Sequence, residues 1–103
     1  MWAQLIKTRL RPGAEEGLPR LFEQLRAAEQ PGSGLLRSTA MRDEKDPCQV
    51  YMLVVFESEE NARARENDQR REEGLQAVRA TMAQIFERAP EFVDLSVVEE
   101  TSY

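Results

Sequence analysis

A chain of 103 residues that is 41% hydrophobic and 32% charged has the balance of one small folded domain, 1–103, and not that of a disordered or low-complexity polymer. With 14 Lys plus Arg against 19 Asp plus Glu, the net charge of -5 repels a phosphate backbone and sets nucleic acid aside as a partner. The chain has no histidine and a single cysteine, Cys48, so it forms no internal disulfide and lacks both the commonest metal ligand and the usual near-neutral base; neither a metal nor another cofactor is expected.

Trp2 to Leu10 alternates apolar and polar residues before Arg11-Pro12-Gly13 and reads as a first strand. Met1-Trp2-Ala3-Gln4-Leu5-Ile6-Lys7 becomes charged too soon for a signal-peptide core. No apolar run approaches the ~20 residues that span a bilayer, so a cytoplasmic protein with no membrane partner is expected. Glu15 and Glu16 favour a helix start, and Leu18, Leu21, Phe22, Leu25 and Ala28 recur at helical spacing. Pro19 is tolerated only in a first turn, so this helix begins near Glu16 or Gly17 and stops before Pro31-Gly32-Ser33-Gly34.

Leu35 to Met41 reads as a second strand, and Arg42 to Pro47 as a loop of hairpin length. Val50 to Phe56 is the most apolar, strand-prone run and belongs in the middle of a sheet. Ser58 caps the next helix, with Glu59 and Glu60 in its first turn and a polar stretch to about Asp68. From Arg71 onward an apolar stripe runs through Leu75, Val78, Met82, Ile85 and Phe86. Whether the two helical stretches are continuous or kinked near Asn67-Asp68 stays open, and Gly74 argues against one long rigid helix. Pro90 ends the helix, Phe92 to Val98 makes the last strand, and Glu99 to Tyr103 is a polar tail.

The resulting order, βαββαβ, is an α+β ferredoxin-like arrangement: an antiparallel four-stranded sheet with both helices on one side. Alternation assigns apolar side chains to both faces. Trp2, Ile6, Leu53 and Val55 cannot share the helix-covered face with neighbours such as Leu5, Met52, Val54 and Phe56. The bare face needs another cover, and a second copy of the chain, sheet against sheet, supplies it as a homodimer.

The element order, Arg11-Pro12-Gly13 after the first strand, the loop from Arg42 to Pro47 before an apolar strand, the Phe56-Glu57-Ser58 junction and Pro90-Glu91-Phe92 together resemble the dimeric α+β barrel superfamily. Within it the chain is most similar to the antibiotic biosynthesis monooxygenase (ABM) domain family, over nearly its whole length. The resemblance implies two ferredoxin-like sheets paired into a barrel, with a pocket between sheet and helices in each subunit. Some similar proteins oxidise polycyclic aromatic substrates without metal or flavin, some degrade haem, and others isomerise small molecules; fold alone does not choose among these. The haem-degrading members use a histidine on the later helix together with an Asn and a Trp. Asn67 matches that asparagine loosely, but there is no histidine and the one tryptophan, Trp2, lies on the first strand, so haem is set aside.

Cofactor-free oxygenation needs a substrate phenol or enol held as an anion while dioxygen approaches, with donors and a positive group around the forming oxyanion. Arg37, Tyr51 and Asn67 are the candidate catalytic residues, and Trp2 and Arg71 the candidate ligand-binding residues, on condition that the second and third strands converge with the irregular helical region. Each has a plain structural reading beside this one. Trp2 and Tyr51 would simply pack, Arg37 would form an intersubunit ion pair or snorkel at the surface, Asn67 would cap or kink a helix, and Arg71 belongs to an Arg-rich run that alternates with acidic residues. Cys48, with no histidine to activate it, reads as an unreactive thiol. Three functions follow: a cofactor-independent monooxygenase of an aromatic or polyketide-like molecule, a non-catalytic dimer that binds a small hydrophobic metabolite or assists a neighbouring enzyme, and a cofactor-free isomerase or lyase; a small aromatic ligand is the expected partner besides a second copy of the chain. An internal cavity holding Arg37, Tyr51 or Asn67 would favour the first and third; a filled interior would favour the second.

Overall fold

The structure, a computed structural model, describes residues 1–103. Its elements are β1 (Trp2–Arg9), α1 (Gly17–Ala28), β2 (Leu35–Arg42), β3 (Gln49–Phe56), α2 (Glu59–Glu66), a 3-10 turn (Gln69–Arg71), α3 (Glu72–Ile85) and β4 (Glu91–Ser96). The strands form one antiparallel sheet in the order β2-β3-β1-β4, the ferredoxin-like α+β topology that the element order implies. β3 lies in the interior of the sheet, where so apolar a strand is stable. No helix is long and apolar enough to cross a membrane.

The helix termini follow from local chemistry. The Ser58 hydroxyl accepts a hydrogen bond from the Asn61 amide at 3.1 Å and starts α2. The helical region is interrupted at Asn67-Asp68. The Asn67 side-chain amide donates back to the Arg63 carbonyl at 3.1 Å, and the Asp68 carboxylate accepts from the Arg70 amide at 3.0 Å to begin the 3-10 turn. Two expectations need correction. Phe86 lies beyond α3 in extended backbone, where it bridges to Leu10 and closes the core, and β4 ends at Ser96, short of Val98. Gly74 does not loosen α3; it lets α3 approach α1, because a Cβ there would fall 2.8 Å from the Cβ of Ala28.

Registers settle which side chains share a face. Gln4 pairs with Val54 and Asp94, and Ile6 with Met52 and Phe92, so these residues point together toward the helices. Leu5, Leu53, Val93, Val55 and Leu95 alternate onto the outer face. In β2 the register shifts between Leu35 and Arg37: Leu35 pairs with Phe56 and faces inward, whereas Arg37 pairs with Val55 and faces outward. Both faces therefore carry apolar residues, as the alternation predicts.

Only 16 of 103 residues are buried, the small core of a short chain. The core is divided into two clusters. Leu10, Leu21, Val50, Val78, Ile85 and Phe86 form one between α1, α3 and the sheet; Trp2, Val54, Phe56 and Ala62 form the other under α2. The chain beyond β4 then crosses the outer face. The Val97 amide donates to the Met1 carbonyl at 3.4 Å, and Glu100 pairs with Arg37 on the opposite edge at 3.1 Å. Ala3 and Val55 are buried although they face away from the helices.

Candidate functional site

A cavity of about 950 Å³ lies between the inner face of the sheet and the helices. It exists because α1 and α3 pack closely on each other, at Ala28 and Gly74, and do not press onto the middle of the sheet. Its floor is mainly apolar, built from Trp2, Ile6, Met52, Val54, Phe56 and Phe92; Phe22, Leu25, Leu75 and Met82 line it from α1 and α3. A space of this size and character accommodates a molecule of several fused rings.

Three arginines from the α2 region enter the wall in different electrostatic states. The Arg63 guanidinium sits 5.0 Å from the Trp2 ring centroid and is held by Glu59 (3.2 Å), Glu66 (2.9 Å) and Asp94 (2.9 Å). The Asp94 carboxyl is kept below its ordinary range by hydrogen bonds from Gln4, at 2.9 Å, and from Arg63. Arg65 lies over Phe56 and grips Glu29 with Nη2 at 2.7 Å and Nε at 3.0 Å.

Arg71 is different. It is 6% exposed and ion-pairs with no carboxylate; its Nη1 donates to the Arg65 carbonyl at 3.2 Å, while its Nε is buried without a partner. Burial, reinforced by the neighbouring Arg65 charge, pulls its pKa below the ordinary arginine value.

Of the five candidate residues, the structure brings Trp2 and Arg71 into the cavity wall and leaves three outside it. Arg37 is on the outer face, paired with Glu100. Tyr51, on β3, pairs with Lys7 of β1 and Met41 of β2 on that same face, beside a small polar cleft of about 230 Å³. Asn67 is an exposed helix cap. The expected convergence of Arg37, Tyr51 and Asn67 on one pocket thus does not occur: strand alternation and the β2 bulge turn the first two away, and the third is spent on its own helix.

Sequence reading missed Arg63, Arg65, Glu29 and Asp94, since alternating Arg and Glu reads as a solvated helix surface. One usable signal was the shared parity of Trp2, Gln4 and Ile6 on β1, which placed their cross-strand partners on the same face.

The family model of antibiotic biosynthesis monooxygenases matches residues 1–84. The fold is also similar to solved structures. A variant of SnoaB, a cofactor-independent oxygenase from Streptomyces nogalater, superposes with TM-score 0.72 at 15% identity, over 96% of this chain and 94% of that one. NE2512, a protein of unknown function from Nitrosomonas europaea, gives TM-score 0.74 at 18% identity, over 99% and 93%. Rv0793 from Mycobacterium tuberculosis gives 0.73 at 14% identity, over 98% of each chain. At these identities the likeness is one of fold. The sequence matches no curated protein.

Proposed function

The chain belongs to the antibiotic biosynthesis monooxygenase family, and on that footing we propose that it is a cofactor-independent monooxygenase of an aromatic or polyketide-like small molecule. The observation that carries this reading is the 950 Å³ apolar cavity, walled by Trp2, Phe56 and Phe92 and edged by arginines. The fold likeness to a cofactor-independent oxygenase supports it.

In such a reaction the substrate is its own reductant. Loss of a proton from an activated CH2 beside a phenol or enol leaves an electron-rich carbanion that reduces dioxygen. One oxygen atom ends as a carbonyl on that carbon, and the other leaves as water with the two hydrogens. The cavity wall contributes aromatic faces on which rings lie and a positive group at Arg71. Trp2 and Arg71 are accordingly the ligand-binding residues of this proposal.

A second reading is favoured by one feature of the wall: its carboxylates, Glu29, Glu66 and Asp94, are all engaged in ion pairs with Arg65 or Arg63, so none of them is a free base. On this reading the chain is a non-catalytic binder of the same class of molecule. An isomerase or lyase would also need a proton acceptor there. Incubation with anthrone in air separates the three. A monooxygenase consumes dioxygen faster than heat-inactivated protein does and incorporates label from 18O2 into the ketone product; a binder protects anthrone without oxygen uptake; an isomerase or lyase rearranges or splits its substrate without oxygen uptake.

The same proposal has two copies pairing through their outer sheet faces in the cytoplasm. Met41, Val93 and Leu95 on that face are exposed large hydrophobic residues, which supports the pairing.

A further inference from the structure

The strongest unexplained feature of the cavity is Arg71, a buried guanidinium with a free donor. Removing a charged group from water without a carboxylate or a full set of hydrogen bonds is unfavourable, and such a group persists where something else completes it. Its neighbour supplies the comparison. Arg65 uses the edge formed by Nε and Nη2 to hold the Glu29 carboxylate, at 3.0 and 2.7 Å. Arg71 is anchored from its other side, by Nη1 to the Arg65 carbonyl at 3.2 Å, which leaves the corresponding Nε side without a partner.

Resting on the reading of this cavity as the ligand site, we infer that its ligand is a ring-bearing carboxylic acid, whose carboxylate is gripped by Arg71 while its rings lie against Trp2 and Phe56. A planar guanidinium edge matches the two oxygens of a carboxylate. A phosphate would bring further oxygens and a second charge to a wall where Arg63 and Arg65 are already neutralised by Glu29, Glu66 and Asp94. An amide or a neutral phenol carries no charge to offset the buried cation, and a phenolate presents one oxygen where the guanidinium edge takes two. The carboxylate then acts as the orienting handle of the ligand, and the apolar floor receives the rest of the molecule.

The test uses the full chain and two probes of equal shape, 2-naphthoate and 2-naphthamide, titrated by calorimetry at neutral pH. Trp2, the only tryptophan, lies in the cavity wall, so a change in its emission reports that the probe is bound there. The acid should bind about tenfold or more tighter than the amide, the margin of a charge-assisted bidentate contact. Arg71→Gln should abolish that margin and change amide affinity by less than about twofold, with Arg71→Lys intermediate because it keeps the charge but not the planar edge. Circular dichroism checks that the variants are folded; should Arg71→Gln fail to fold, the acid-to-amide ratio in the natural chain and in Arg71→Lys decides.

Equal affinity for acid and amide in the natural chain overturns the carboxylate inference and leaves the cavity as an aromatic site. A preference for the acid that survives in both variants also overturns it, by removing Arg71 from recognition. Failure of both probes to bind overturns the inference and the cavity reading together.

Discussion

Burial alone would push the Glu29 carboxyl up, but hydrogen bonds from Arg65 and Ser33 outweigh it and hold the group below its ordinary 4.5. A carboxylate whose folded pKa is depressed takes up its proton less readily than the unfolded chain does. Its contribution to stability is complete above the unfolded value, and it is lost as pH falls from about 4.5 through the lower folded value. Glu29→Gln should therefore be less stable than the natural chain at neutral pH, by about 1 kcal/mol or less because the pair is partly exposed. Its thermal midpoint should fall less steeply than that of the natural chain on acidification below pH 4.5. Parallel melting curves across that range check this; identical acid slopes would show that the Arg65–Glu29 pair has no part in the acid response.

Among the elements, the contact of α1 with α3 shows how packing reverses an intrinsic propensity. Glycine within a helix ordinarily costs ~1 kcal/mol relative to alanine. At Gly74, however, the added methyl would lie 2.8 Å from the Ala28 Cβ and 3.1 Å from its Cα, and a helix backbone cannot yield as a flexible side chain would. Gly74→Ala should lower stability by roughly 1–3 kcal/mol, the cost of overpacking, where propensity alone forecasts a gain. Gln76→Ala, at an exposed position of the same helix, should stay within about 0.5 kcal/mol of the natural chain. Urea titrations of the two variants measure both, and a higher midpoint for Gly74→Ala would show that α1 can move aside.

For the whole molecule, the question is what covers the outer sheet face. Ala3 and Val55 on that face are buried, but Leu95 remains 39% exposed and Met41 43%. A pairing of two sheets would remove this apolar surface from water. Light scattering on the natural chain should then give the mass of two 11.8 kDa copies. Leu95→Glu, which places a charge at an exposed site without disturbing the core, should give a single folded copy. A natural chain that runs as one copy at micromolar concentration would refute the proposed sheet pairing.

Much of the architecture was legible in the sequence because it rests on local chemistry: the βαββαβ order, the Ser58 cap and the apolar alternation on both sheet faces each depend on residues a few positions apart. The site was less legible because its geometry depends on register and on long reaches. A bulge between Leu35 and Arg37 sends Arg37 to the outer face. Arg63 meets Asp94 across 31 residues, and Arg65 meets Glu29 across 36. Composition and periodicity determine which segments become strands and helices. Only the packed chain decides how far the helices stand from the sheet, and hence that a cavity remains and that Arg71 is the buried cation left without a carboxylate in its wall.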